Sequence, residues 1–79
     1  MKTYVYVLYS IEFDRYYIGS SADLDHRLLS HNHGKVKSTK PYILWTRVYL
    51  EACEDRSRAL KREKYLKSGY GRRWLQQHI

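Results

Sequence analysis

Polar residues that fall where an apolar one is expected are the first candidates for chemistry, and Glu63 is the clearest. Ala59 lies four residues before it, and Leu60 and Leu66 lie three to either side. On a helix, that spacing puts Glu63 on or beside an apolar stripe. A carboxylate there is costly unless it is paired or binds a cation. The simpler reading is an edge position with a pairing to Lys67 one turn on, worth about 0.2–0.5 kcal/mol. Arg27 and His31 come next, four apart beside Leu24 and Leu28. An arginine fork gives a phosphate two hydrogen bonds and keeps its charge at any physiological pH. The simpler readings are a surface pairing of Arg27 with Asp23 and a His31 held at a helix end by the dipole. Tyr6 and Tyr17 sit eleven residues apart in two strand-like runs. A phenol titrates near pH ~10 and is a poor base alone. Close cations lower that value and let it order or deprotonate a water. Ordinary cross-strand aromatic packing is the competing account.

These residues need elements to hold them. Val5 and Val7 among Tyr4, Tyr6 and Tyr9 read as a strand, because β-branched and aromatic side chains suit a pleated backbone. Ser10 to Arg15 reads as a turn, and Tyr16, Tyr17 and Ile18 resume the strand signal, which Gly19 ends. Two such runs with a short connector suggest an antiparallel hairpin. Ser20 and Ser21 offer N-cap hydroxyls for a helix running to about Asn32, with Asp23 favouring its dipole. Gly34 marks its stop, and His33 to Tyr42 is a basic loop broken by Pro41. Leu44 to Leu50 reads as a third strand. Asp55 or Ser57 caps a second helix to about Lys67, and Ser68 to Gly71 reads as a turn. Arg72 to Ile79 forms a short last helix with Trp74, Leu75 and Ile79 facing inward. The expected fold is α/β of the α+β type: a three-stranded, largely antiparallel sheet flanked by helices, in the order strand, strand, helix, strand, helix, helix.

Composition narrows the function classes. The chain has 79 residues, so one domain is expected. Its 43% hydrophobic content supports one packed layer of helices on a sheet rather than two cores. Cys53 is the one cysteine, which excludes an internal disulfide and a zinc-finger type of metal site. The first residues lack a signal-peptide pattern and no apolar run nears the roughly 20 residues of a membrane span, so a soluble, cytoplasmic protein is expected, with no membrane partner.

The net charge is +7, and it is one-sided. Residues 1–55 carry seven basic and seven acidic side chains, whereas residues 56–79 carry eight basic ones and the single acid Glu63. Such asymmetry attracts polyanions, of which nucleic-acid backbones are the commonest. A solvated helix face that keeps the protein soluble is the alternative. Arg58, Lys61, Arg62, Lys67, Arg72 and Arg73 are the candidate nucleic-acid contacts.

Taken together, these residues resemble the GIY-YIG nuclease superfamily. Tyr4-Val5-Tyr6, a short spacer and Tyr17-Ile18-Gly19 are similar to its paired signature. Arg27 follows Tyr17 by ten residues, as the family's arginine does, and His31-Asn32 resembles the end of that helix in small stand-alone members. Ser57 to Lys64 resembles the helix that carries the family's metal-binding glutamate, and Lys67 to Arg72 resembles the ending of small bacterial members. The resemblance implies a divalent-metal-dependent endonuclease, acting on DNA or RNA by hydrolysis, with DNA repair as one setting. It implies that Glu63 holds Mg²⁺ (or Mn²⁺), that Arg27 stabilises charge on the attacked phosphate, and that Tyr17 and Tyr6 position or deprotonate the water. His31 would assist Tyr6 or the phosphate. The chain departs from the pattern in three places. Tyr4 and Val5 replace the glycine and isoleucine of the first triplet, Ser20 stands where some repair nucleases carry lysine, and no asparagine follows Glu63. Members usually gain specificity from an added DNA-binding domain; this chain is expected to be weakly specific, structure-specific, a homodimer or dependent on a partner protein. A binding module with vestigial catalytic residues and a protein-interaction adaptor are the rival classes.

Overall fold

The computed structural model describes residues 2–79. Strand β1 (Thr3–Ser10) is the centre of a three-stranded sheet, flanked by β2 (Arg15–Ser21) and β3 (Trp45–Cys53), both antiparallel to it. Helix α1 (Leu24–Asn32) follows the hairpin, and α2 (Arg56–Lys67) and α3 (Gly69–His78) follow β3, with a 3-10 turn at Lys40–Tyr42. The order is the expected one.

The alternation of β1 explains the layers. Successive side chains of a strand point to opposite faces. Val5 and Val7 pack with Ile18, Ala59, Leu66 and Leu75, which places α2 and α3 on one face. Tyr6 and Leu8 pack with Trp45, Leu24 and Leu28, which places α1 on the other. Both faces are thus covered, where composition suggested a single packed layer. The second cluster is affordable because aromatic rings fill it: Tyr6, Tyr17, Tyr42 and Trp45 carry more apolar area each than aliphatic residues.

Several boundaries differ from expectation, each for a local reason: strand β3 spans Trp45–Cys53 rather than Leu44 to Leu50, because Glu51, Ala52 and Cys53 still pair with Val5, Tyr4 and Thr3. Strand β2 runs past Gly19 to Ser21, because Ser20 and Ser21 still pair with Val5 and Tyr4. The α1 cap is therefore Asp23, whose carboxylate accepts from the His26 amide at 3.1 Å, rather than Ser20 or Ser21. Helix α3 starts at Gly69 rather than Arg72, since the Ser68 hydroxyl accepts from the Gly71 amide and caps it. Gly71 belongs inside this helix: a Cβ there would run into the Tyr65 carbonyl. Ile79, expected to face inward, is about half exposed at the chain end, whereas Leu75 is buried and Trp74 partly so. Asp55 caps α2 by accepting from the Arg58 amide at 2.9 Å. Among the described residues, no helix is long and apolar enough to cross a membrane.

Candidate active site

The hairpin register brings the two tyrosines together. Tyr17 pairs with Leu8 and Gly19 pairs with Tyr6, so Tyr6 and Tyr17 are diagonal neighbours on the α1 face. Their ring centroids are 6.2 Å apart. Gly19 makes this possible. A Cβ built there would lie 2.6 Å from the Tyr6 hydroxyl and 2.9 Å from the Tyr17 ring, so the Tyr6 side chain lies directly over the glycine backbone.

Helix α1 carries Arg27 and His31 one turn apart, facing this pair. The Tyr6 hydroxyl is 3.1 Å from His31 Nε2, and His31 Nδ1 is 2.8 Å from the Thr39 hydroxyl. That hydroxyl donates in turn to the Val36 carbonyl at 3.3 Å. The hydrogen count then fixes every direction. Thr39 has spent its one hydrogen on Val36, so it accepts from His31 Nδ1–H. A neutral imidazole protonated at Nδ1 has a bare Nε2, so Tyr6 O–H donates to it. Neutrality follows from burial: His31 is 0% exposed, and desolvation, with the nearby Arg27 charge, pushes its pKa down to about 4.

Arg27 lies against the Tyr6 and Tyr17 hydroxyls, which raise its pKa further. Burial raises that of Tyr6, against the pull of Arg27 and with a contribution from Glu63. The buried Nε of Arg27 makes no hydrogen bond. A desolvated guanidinium nitrogen without an acceptor is costly in a folded protein.

Glu63 comes from the opposite layer, around the edge strand β2. Ser20 alternates to the α2 face, where its hydroxyl donates to Glu63 Oε1 at 2.8 Å. Lys67 Nζ donates to Oε2 at 2.7 Å, the i to i+4 pairing the spacing suggested. Thus Tyr6, Tyr17, Arg27 and His31 form one cluster, and Glu63 stands beside it, close enough for its charge to act on Tyr6. Asp23 caps α1 and makes no ion pair with Arg27, so that simpler reading of Arg27 does not hold.

The basic candidates scatter. Arg62 turns inward: it pairs with Glu51 at 2.8 Å and lies over Trp74, 4.7 Å from the ring centre. Arg58 sits 4.0 Å from Asp55, and Arg73 lies over Tyr70. Lys61 is exposed. Lys67 and Arg72 line a hollow between β2 and α3. Sequence reasoning missed Ser20, Thr39 and Arg56. Arg56 lines a smaller hollow of about 330 Å³ with Arg27, Ser20, Ser21 and Thr3. Its place just after the Asp55 cap was the available signal; Thr39, inside a polar loop, offered none.

Chemically, the donor set is spare. Among the described residues, no three His, Cys, Asp or Glu side chains are grouped to hold an ion. A single carboxylate with a hydroxyl neighbour suits Mg²⁺, which keeps most of its waters and takes substrate phosphate oxygens as ligands. Both Glu63 oxygens accept hydrogen bonds, one from Ser20 and one from Lys67, so the carboxylate has a cationic partner already.

Comparison with known proteins bears on the family and the fold. The chain matches the GIY-YIG catalytic domain over residues 2–77. It is similar to the solution NMR structure of a UPF0213 protein from Bacillus halodurans, at 28% identity and a TM-score of 0.58, with 98% of this chain and 84% of that one covered. No curated protein matches it. Since the family match spans nearly the whole chain, the chain belongs to the GIY-YIG catalytic domain family, whose function is of the nuclease type.

Proposed function

We propose that this protein is a divalent-metal-dependent endonuclease that hydrolyses nucleic-acid phosphodiesters, DNA before RNA. One observation carries the reading. The Arg27 guanidinium, whose Nε has no hydrogen-bond partner, lies against the hydroxyls of two phenols, and the charge of Glu63 reaches one of them, Tyr6. A phosphodiester supplies the missing acceptor.

The residues divide the work. Arg27 binds the phosphate and opposes the negative charge that grows as water adds. In the reaction, the water oxygen bonds to phosphorus and the bond to one ester oxygen breaks. One water hydrogen ends on the released hydroxyl, and the other leaves with the phosphate monoester or to solvent. Tyr6 is buried, so it serves as an interior brace rather than as the group that meets water. Burial raises the pKa of Tyr6 and lowers that of His31 to about 4, so the proton stays on the phenol. His31 therefore orients the Tyr6 hydroxyl, whose lone pairs are left facing Arg27. Tyr17 is partly exposed and is the phenol a water can reach. Glu63 would hold Mg²⁺ or Mn²⁺, with Lys67 giving way, and Ser20 would keep the carboxylate aimed. Such an ion lowers the barrier by countering charge on the phosphate. The unpaired Cys53 fits a reducing, cytoplasmic setting.

The test is incubation of purified protein with supercoiled, branched and single-stranded DNA, and with RNA, each with and without Mg²⁺ or Mn²⁺. Cleavage by the wild type, lost by at least a hundredfold in Glu63→Ala while binding persists, supports the enzyme. Salt-sensitive binding with no cutting in either metal identifies a binding module instead. Indifference to nucleic acid at low salt points to a protein-interaction adaptor.

A further inference from the structure

The larger of the two hollows borders the proposed catalytic cluster, sharing Tyr17 and Lys67 with it, while its other lining residues have no part in the chemistry above. It has a volume of about 700 Å³ and runs between β2 and α3, lined by Tyr16, Tyr17, Ile18, Arg72 and Leu75 among others. We infer that this hollow binds one unpaired nucleotide of the substrate strand, next to the phosphate held by Arg27, so that the protein prefers single-stranded or flapped nucleic acid over a continuous duplex. The inference rests on the nuclease reading for its choice of polymer.

Position is the first support. Glu63 accepts from Ser20, which lines the smaller hollow, and from Lys67, which lines the larger one. Arg27 opens on the smaller hollow and Tyr17 on the larger. The catalytic groups therefore stand on the divide between two depressions. A strand crossing that divide has one neighbouring nucleotide on each side.

The lining supplies the second. A duplex backbone needs cations at a surface; it has no use for an apolar-floored hollow, because its base faces are already stacked. Here Ile18 and Leu75 are buried side chains at the floor, and Tyr16 presents a ring that is 57% exposed. Tyr9 braces that ring at 4.7 Å between centroids, and the Tyr9 hydroxyl is itself fixed to Asp14. A braced, exposed aromatic ring is a platform for an unstacked base, and such stacking is tolerant of sequence. Arg72 supplies a cation at the lining, where Arg15 is drawn over Tyr42 and Lys67 is held by Glu63, and Gln76 offers an amide that can both donate and accept. The size lies within the range of about 300–1,000 Å³ typical of small-ligand sites.

The experiment measures binding without turnover, in EDTA, by fluorescence anisotropy on an oligothymidylate single strand and on a blunt duplex of equal length. The wild type is expected to bind the single strand at least fivefold more tightly. Tyr16→Ala and Arg72→Ala should each weaken the single strand by about fivefold or more, in the range set by loss of one stacking platform or one phosphate contact, and shift the duplex by less than twofold. Lys35→Ala with Lys37→Ala, on exposed residues away from the hollow, is the control for lost charge alone. Amide shifts in wild-type protein titrated with the oligonucleotide give a readout that needs no variant, and should centre on Tyr16, Arg72 and Gln76. Equal affinity for strand and duplex, or equal losses in the hollow and control variants, overturns the inference. Cleavage that survives while strand preference is absent removes the inference and leaves the enzyme reading; strand preference without cleavage does the reverse.

Discussion

Replacing Thr39 by valine tests the directed chain of hydrogen bonds behind Tyr6. Thr39 is 1% exposed, and its hydroxyl is the acceptor 2.8 Å from His31 Nδ1. Valine has nearly the same shape but no oxygen. A buried Nδ1–H is then left without an acceptor, at a cost of about 1–3 kcal/mol. For a domain of this size, each kcal/mol moves Tm by roughly 4–8 °C, so Tm should fall by about 4–24 °C. The imidazole can reduce that cost only by moving its hydrogen to Nε2, which reverses its bond with Tyr6. The Tyr6 hydrogen must then point elsewhere, and the lone pair facing Arg27 is lost. Cleavage should drop in kcat by about ten- to a hundredfold with little change in KM, the pattern of lost positioning rather than lost binding. Long-range nitrogen–proton NMR reads the His31 tautomer directly, and circular dichroism reads Tm. Thr39→Ser keeps both the donor and the acceptor and should restore tautomer and rate. An unchanged Tm and tautomer in Thr39→Val, or a serine variant as impaired as the valine one, would refute the reasoning.

Other perturbations have equally definite outcomes. His31 binds its proton only near pH 4 when folded but near 6.5 when unfolded, so the unfolded chain takes up protons first; stability is complete above pH 6.5 and falls by about 3 kcal/mol toward pH 4. Urea titrations across that window should show the slope, and His31→Gln should flatten it. Gly19→Ala forces a methyl against the buried Tyr6 and should destabilise by about 1–3 kcal/mol while cutting activity, measured by urea midpoint and plasmid nicking. A correctly folded, fully active alanine variant would contradict the close approach. Arg27→Lys keeps the charge but loses the planar fork, and should leave cleavage reduced by at least tenfold with DNA affinity nearly intact; rescue to wild-type rate would show that charge alone suffices.

Much of this was legible because local chemistry and tertiary demand agree. Val5, Tyr6 and Val7 favour a strand by their branching and rings, and the strand they form is the centre of the sheet. Leu24 and Leu28 mark the α1 stripe, and Arg27 and His31 follow from that same helical phase. The misreadings fall where a tertiary contact overrides a local preference. Gly19 looks like a strand end, yet it sits mid-strand because Tyr6 lies across it. Gly69-Tyr70-Gly71 looks like a turn, but Ser68 caps a helix there and Gly71 makes room for the Tyr65 carbonyl. Thr39 lies eight residues beyond His31 and reaches it only because the loop folds back under α1, which no residue spacing signals. Arg62, one more cation in a basic run, is taken out of solvent by Glu51 on β3, a neighbour visible only once the sheet is assembled.

Tyr6 and His31 belong both to the proposed catalytic constellation and to the interior that α1 covers. Selection on folding alone would retain them in a descendant that had stopped cutting. Arg27 and Glu63 have no such second employment: the orphaned guanidinium nitrogen of Arg27 costs stability, and the Glu63–Lys67 contact lies at the surface, where ion pairs contribute little. Within this lineage the tyrosines therefore record ancestry, and the arginine–glutamate couple is the sensitive register of whether the enzyme is still in use.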